Sequence, residues 1–316
     1  MALAVATAPT PVVVPSKQQA LFRGERLAGW LFASPWPLGF ILFTAAPMLG
    51  SLGLTFFRWN LISPPTFVGV HNYSRLLHDG MVAHSLLVTT LYAVLSVPTQ
   101  LIVALFLATL LHQRIRAKSF FRTVLYIPVV ISGVAVALLW EWIFAPQVGL
   151  LNTILSWLGI SGPAWLGNPS TALIALAIMS LWGCGGSVVL FLAGLQGVPS
   201  DLLDAAKVDG ATPFRSFKYI TMPLLSPLVL YVFVTQLIGA LQTFTQPYVM
   251  TQGGPDNATM FYMLYLYQSA FQSFRIGYAS ALAWLLFIYI LLLTALVFRG
   301  SAAWIYYEAA FTKRSR

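Results

Sequence analysis

The chain has 316 residues, of which 59% are hydrophobic and 8% charged, with a formal net charge of +9. Soluble domains carry about 25% charged residues, so a water-soluble globular protein is excluded and an integral membrane protein is expected. A nucleic-acid-binding face is excluded as well, because the basic residues are divided among separate loops and not gathered on one soluble surface.

Segment 1–20 is made largely of Ala, Val, Pro and Thr, with no basic stretch ahead of its apolar residues. It does not read as a cleaved signal peptide and is expected to be a disordered cytoplasmic tail. A transmembrane helix needs roughly 20 mostly apolar residues, and the first such stretch is 27–57. Its Pro35, Pro37 and Pro47 are tolerable where neighbouring groups satisfy the freed carbonyls, and a kinked helix is expected. The segment 59–80 that follows holds Pro64-Pro65 and reads as a loop with short helices at most. His71, His78 and His84 cluster there, but neither Cys nor paired carboxylates accompany them at ligand spacing, so solvated or interfacial histidines are expected and not a metal site.

The second span is 82–111, and His112 beside Arg114 marks its end. A basic stretch, Arg114, Arg116, Lys118 and Arg122, precedes a third span at 123–140. Glu141 stands between Trp140 and Trp142 at the outer end of that span, where the aromatic neighbours favour a carboxylate reaching the interface over one on an ion pathway. Segment 145–169 is rich in Gly and Pro and reads as a second external loop. The fourth span, 171–198, contains Trp182-Gly183-Cys184-Gly185-Gly186, whose glycines permit close backbone approach, local unwinding or tight helix packing. Cys184 is the only cysteine, so an intrachain disulfide is excluded, and its apolar setting predicts a packed thiol.

Segment 199–223 is the most informative. Pro199 and Ser200 open a short helix with Asp201 and Asp204 in its first turn, where carboxylates suit the positive end of the helix dipole. Asp209-Gly210 stops it. Thr212 can cap and Pro213 start a second helix, with Phe214, Phe217 and Ile220 on one side and Arg215 and Lys218 opposite, which Pro223 and Pro227 are expected to end. Two short helices joined by a glycine at the membrane surface make a knob for a soluble partner. The fifth span, 224–250, carries Gln236, Gly239, Gln242, Thr243, Phe244, Thr245 and Gln246, a mixture of amides, hydroxyls and an aromatic ring that suits a sugar. Stretch 258–274, rich in Tyr, Phe, Met and Gln, fits a row of interfacial aromatics, and the sixth span is 277–298.

Lys and Arg collect on the cytoplasmic side of membrane proteins. With six spans and the N-terminus inside, 14 of the 17 basic residues are cytoplasmic and only Arg58, Arg75 and Arg275 lie outside. A seventh span at 258–274 would place the cluster from Arg299 to Arg316 outside. The three external arginines allow an anionic solute without requiring one. No span centre holds a charged residue, which argues against a proton- or sodium-coupled carrier. No phosphate-cradling loop ending in Lys-Ser or Lys-Thr occurs, so ATP has no site on this chain.

The pattern Asp204-Ala205-Ala206, Gly210, then Ile220 to Pro223 resembles the EAA loop of the permease subunits of bacterial ATP-binding-cassette importers. The resemblance extends through Phe67-Val-Gly-x-x-Asn72-Tyr73, Phe120-Phe121-Arg122-Thr, Ile127-Pro128, Gly149-Leu-Leu-Asn152, Thr251-Gln-Gly-Gly-Pro255, Ala270-Phe271 and Gly277-Tyr-Ala-Ser280, and it points to the sugar-importing branch similar to maltose and glycerol-phosphate permeases. Asp replaces the usual Glu at 204, keeping the charge and shortening its reach by one methylene; Met222 stands where Leu is commoner.

The resemblance implies an all-helical six-span permease domain at 21–316 in the bacterial cytoplasmic membrane, with both termini cytoplasmic and a coupling loop at 199–223. It implies ATPase docking through Asp204, Ala205, Ala206, Asp209, Gly210 and Pro223, and sugar contacts at Trp182, Gly183, Gly186, Gln236, Gly239, Ala240 and Thr243. Ala240 is a departure, since the family is polar there. The implied partners are a second permease, two ATPases carrying ATP and magnesium, and an extracytoplasmic solute-binding protein, with no cofactor on this chain. A stand-alone secondary carrier or channel is the alternative, and an intramembrane enzyme a third class; neither finds its coupling or catalytic residues here.

Overall fold

The computed structural model describes residues 28–113, 116–301 and 305. The expected tail at 1–20 and the C-terminal basic residues Lys313, Arg314 and Arg316 lie outside the described residues. The chain divides into two compact units, Met1–Leu54 and Thr55–Arg316.

The first unit holds α1, Ala28–Leu54, apolar on all sides as a membrane span must be. Its prolines do not break it. The turn Ile41–Ala45 is π-helical, with the Ala46 N–H bonded to the Ile41 carbonyl, and it ends two residues before Pro47. Pro47 has no N–H and its ring crowds the carbonyl one turn back, and a widened turn absorbs that crowding.

The second unit begins with a small antiparallel hairpin, β1 Phe57–Arg58 with β2 Thr66–Phe67, the one departure from an all-helical chain among the described residues. Helix α2, His71–His78, follows and leads into α3, Gly80–His112. At 33 residues α3 is longer than the predicted span and carries Pro98 in its interior. Three hydrophobic clusters form around the helices. One gathers Tyr92, Phe144, Leu176, Leu241 and Phe261. A second packs Ala104 and Ala108 against Val188, Phe191 and Leu225. The third joins Leu76, Tyr262, Tyr278 and Leu282.

Among the described residues, four helices are long and apolar enough to cross a membrane, and two bent helix pairs, each taken as one span, raise the count to six. The third span, expected at 123–140, is one of these pairs. Helix α4, Lys118–Val130, and helix α5, Gly133–Ile143, meet at 102°. Ile131 and Ser132 are extended there, and Ser132 accepts the Val136 N–H at 3.0 Å. Pro128 removes a hydrogen bond from the last turn of α4, and Ser-Gly is a poor pair for continuing a helix.

After α6, Leu150–Trp157, the fourth span is also a pair, α7 Pro169–Trp182 and α8 Gly185–Gln196, bent by 48° at Gly183 and Cys184. Gly185 is required for packing: a Cβ there would run into the Leu125 carbonyl of α4.

Helix α9, Ser200–Val208, forms as expected, and α10 spans Pro213–Leu241. Pro223 and Pro227 were expected to end the second loop helix. They do not, because a π turn at Phe217–Thr221 stands two residues ahead of Pro223 and the loop helix runs unbroken into the fifth span. The span expected to reach residue 250 stops at Leu241 and gives way to irregular backbone and a π turn, Pro247–Thr251. Stretch 258–274 forms α11, Tyr262–Tyr267, with a π turn at Gln268–Gln272. Its aromatics are not interfacial throughout, since Phe261 and Tyr262 are fully buried, and the Tyr262 hydroxyl donates to the Leu282 carbonyl. Helix α12, Ile276–Ser301, is the last span.

Candidate functional site

Each break in a membrane helix frees backbone groups that hydrocarbon cannot satisfy, so breaks occur where protein or water lines them. Here three breaks converge on one cavity of about 320 Å³. Ile131 and Gly133 come from the α4–α5 corner, Gly183 from the α7–α8 bend, and Thr243 and Gln246 from the unwound stretch after α10. Tyr92 and Gln100 of α3, Ser180 of α7, and Gln236, Gly239 and Ala240 of α10 complete the hydrogen-bonding part of the wall. No charged residue lines it.

Five of the seven residues picked out for sugar contacts therefore share one cavity: Gly183, Gln236, Gly239, Ala240 and Thr243. Trp182 and Gly186 do not line it; the Trp182 ring lies edge-on to Trp140 at 6.0 Å. Gln236 is the most informative member. Its Nε2 donates to the Ser187 hydroxyl at 3.0 Å, while its Oε1 is buried with no hydrogen-bond partner. A buried unpaired amide oxygen costs about 1–3 kcal/mol unless a solute or water meets it. Beyond Thr243, the rings of Phe244, Tyr248, Tyr267 and Phe271 form a continuous aromatic run with centroids 4.9–5.3 Å apart. Tyr92, Gln100 and the corner residues Ile131 and Gly133 were missed in the sequence; Ser132-Gly133 was the available signal for the corner.

The loop at 199–223 carries the six residues picked out for docking. Helix α9 ends in a Schellman motif, in which the Ala211 N–H bonds Ala206 O at 2.9 Å and the Gly210 N–H bonds Lys207 O at 3.0 Å. Gly210 has φ of +76°, the left-handed region that glycine enters at least cost. The Thr212 hydroxyl accepts the Arg215 N–H and caps the helix that starts at Pro213. Ala206 is buried, and Asp204, Ala205, Asp209 and Gly210 are exposed. Asp204 pairs with Lys207 at 2.7 Å, both side chains mostly exposed. Such pairs contribute about 0–1 kcal/mol, so a partner cation can replace Lys207 with little loss. Around them Val208 is 88% exposed and Phe214 72%, leaving apolar side chains uncovered on a loop that leaves the membrane.

The remaining candidates find ordinary settings. Among the described residues no group of three His, Cys, Asp or Glu is placed to hold a metal ion. His84 contacts the Asn257 carbonyl at 2.9 Å and His78 the Ser74 carbonyl at 2.8 Å. Glu141 is exposed on α5 beside the largely exposed Trp142, and Cys184 is buried. Two motif asparagines brace loops: Asn72 donates to Thr55 O and Phe57 O, and Asn152 bridges Pro146, Pro163 and the Trp165 indole. Asp79, expected merely to sit in a loop, accepts hydrogen bonds from Tyr265, Tyr278 and the Met81 N–H. Burial alone would raise its pKa, but these three donors and the nearby Arg75 charge together hold it below the ordinary aspartate value.

Residues 100–305 match the family of binding-protein-dependent transport system inner membrane components. A probable ABC transporter permease protein, YesP of Bacillus subtilis, is 40% identical over 93% of this chain and 96% of its own length. The trehalose/maltose transport system permease protein MalF of Thermococcus litoralis is 34% identical, covering 85% of this chain and 92% of the relative. A chain from the crystal structure of a bacterial alginate ABC transporter, in complex with its alginate pentasaccharide-bound periplasmic protein, superposes with a TM-score of 0.76. It is 22% identical and covers 88% of this chain and 94% of that one. The chain belongs to the binding-protein-dependent transport system inner membrane component family. It is a multi-pass membrane permease subunit, and ATP hydrolysis resides on separate subunits of such a system.

Proposed function

We propose that this subunit passes a neutral carbohydrate from an extracytoplasmic binding protein to the cytoplasm, through the cavity bounded by the three helix breaks. The observation that carries the reading is the cavity's lining of uncharged amides and hydroxyls, with the unpaired Gln236 Oε1 among them. Sugar hydroxyls both donate and accept, so a neutral polar wall suits them, and the absence of charge from that wall disfavours an ionic solute. The trehalose/maltose relative supports an oligosaccharide or disaccharide as the solute class.

Energy enters at the coupling loop. Asp204, Ala205, Ala206, Asp209 and Gly210 present α9 to the cleft of a partner ATPase, which carries ATP and magnesium, and Pro223 lies where the loop passes into α10. Because that helix is unbroken from Pro213 to Leu241, movement of the loop is transmitted along a rigid rod to Gln236, Gly239 and Ala240. A second, related permease completes the pore.

The test is uptake by proteoliposomes holding the full set of subunits, with Gln236→Leu and Thr243→Val compared to wild type. Sugar uptake is expected to fall about tenfold or more, the loss of a buried hydrogen bond to a neutral solute costing about 1–3 kcal/mol. ATPase activity stimulated by binding protein is expected to persist. Unchanged uptake in both variants would remove the cavity assignment, and ATP-independent uptake by the chain alone would replace it with a secondary carrier.

A further inference from the structure

The three arginines on the external side, Arg58, Arg75 and Arg275, are far apart in sequence and line a single pocket of about 340 Å³ together with His71. No acidic residue lines it, and among the described residues none of the three arginines makes an ion pair. Like charges do not gather without a counter-charge unless the fold holds them, and here it does. The Asn72 amide fixes the backbone on both sides of Phe56 by bonding Thr55 O at 2.8 Å and Phe57 O at 3.0 Å, which sets Arg58 on β1. The Ile276 N–H bonds Trp59 O at 3.0 Å and ties the start of α12, with Arg275 before it, to the same hairpin. Arg75 lies 5.0 Å from the centre of the Tyr278 ring, while Asp79, which faces Arg75, is already engaged by Tyr265 and Tyr278. Arg58 and Arg275 are exposed.

We propose that this pocket is the receptor for an acidic side chain of the extracytoplasmic solute-binding protein. The inference rests on the importer reading above. Guanidinium forks match a carboxylate bidentately, and a positioned pair fixes the register of a docking protein. An anionic solute in transit is a poorer occupant, because no residue lines both this pocket and the translocation cavity, and that cavity offers an anion no counter-charge.

The measurement is the affinity of the purified binding protein for the complete transporter in nanodiscs, over a range of salt. Wild type is compared with Arg58→Gln/Arg275→Gln and Arg58→Glu/Arg275→Glu, leaving Arg75 untouched because it also supports Tyr278. The Gln pair is expected to weaken binding roughly tenfold and flatten the salt dependence, as loss of charged contacts at an interface does, and the Glu pair to weaken it further. Saturating binding protein is expected to restore stimulated ATPase activity, which shows the variants folded, and a lysine scan of the binding protein's Asp and Glu residues is expected to find one that rescues the Glu pair. Unchanged affinity and salt slope overturn the proposal. So does a variant that binds normally but loses a co-purifying anionic lipid, or one altered only in uptake of acidic sugars. Absence of stimulation in wild type would instead count against the importer reading itself.

Discussion

Asp79 joins three parts of the chain at one carboxylate: the Met81 N–H at the start of α3, Tyr265 of α11 and Tyr278 of α12. Because its folded pKa lies below the unfolded value of about 3.9, the stability it supplies is full above that value and is lost as pH falls through the folded pKa. Asp79→Asn is expected to destabilise the protein by about 1–3 kcal/mol at pH 7, read as a lower melting temperature of the detergent-solubilised complex. The two melting curves should converge in acid, and a gap that stays constant down to the acid limit would refute the charge-assisted account. The sequence places Asp79 in a loop and stops there, since its tyrosine partners lie 186 and 199 positions away. Asn72 and Asn152 were visible as motif residues but not as loop braces, for the same reason: a side-chain amide's partner is set by tertiary closure. Gln236 and Thr243 were legible because a polar side chain in an apolar span is costly unless it meets a polar neighbour or a solute.

At the scale of elements, the sequence located the stretches of all six candidate crossings among the described residues but did not show that the third is bent or that the fifth ends at Leu241. Hydropathy measures length and apolarity, and a bent pair such as α4–α5 has the same hydropathy as a straight helix. The corner at Ile131-Ser132-Gly133 carried its local signal, but Ser and Gly are common in membrane helices and the signal weighs little alone. Proline was misread in the opposite sense at Pro223, ahead of which a π turn lets the helix continue, and at Pro227, which lies inside that helix. The coupling loop was the most legible element, because a cap, a glycine and a stop are local chemistry. Gly210 tests it. A β-branched residue at φ of +76° costs on the order of 1–2 kcal/mol or more, whereas Asn tolerates that region. In full-transporter preparations Gly210→Val is expected to lower ATPase co-purification several-fold, and Gly210→Asn to keep most of it. Equal retention by both would mean that the left-handed turn does not shape the docking surface.

For the whole molecule, the distribution of charge decides how the chain lies in the membrane. Six crossings put the basic loops on one face and leave three arginines on the other, and those three converge on one pocket. A seventh crossing at 258–274 would reverse the end of the chain. The structure argues against it physically: α11 and its π turn together cover 262–272, about 16 Å of helix at 1.5 Å per residue, against a hydrocarbon core of about 30 Å. With Cys184 the single cysteine, replacing it by Ala gives a background for site-directed labelling. Single cysteines at positions 58, 207 and 299 are then probed in intact cells with a membrane-impermeant maleimide. Position 58 is expected to label from outside, and positions 207 and 299 only after the membrane is opened. Labelling of position 299 in intact cells would require the seventh crossing, whereas protection of position 58 would turn the arginine pocket to the cytoplasm and leave a binding protein nothing there to grip.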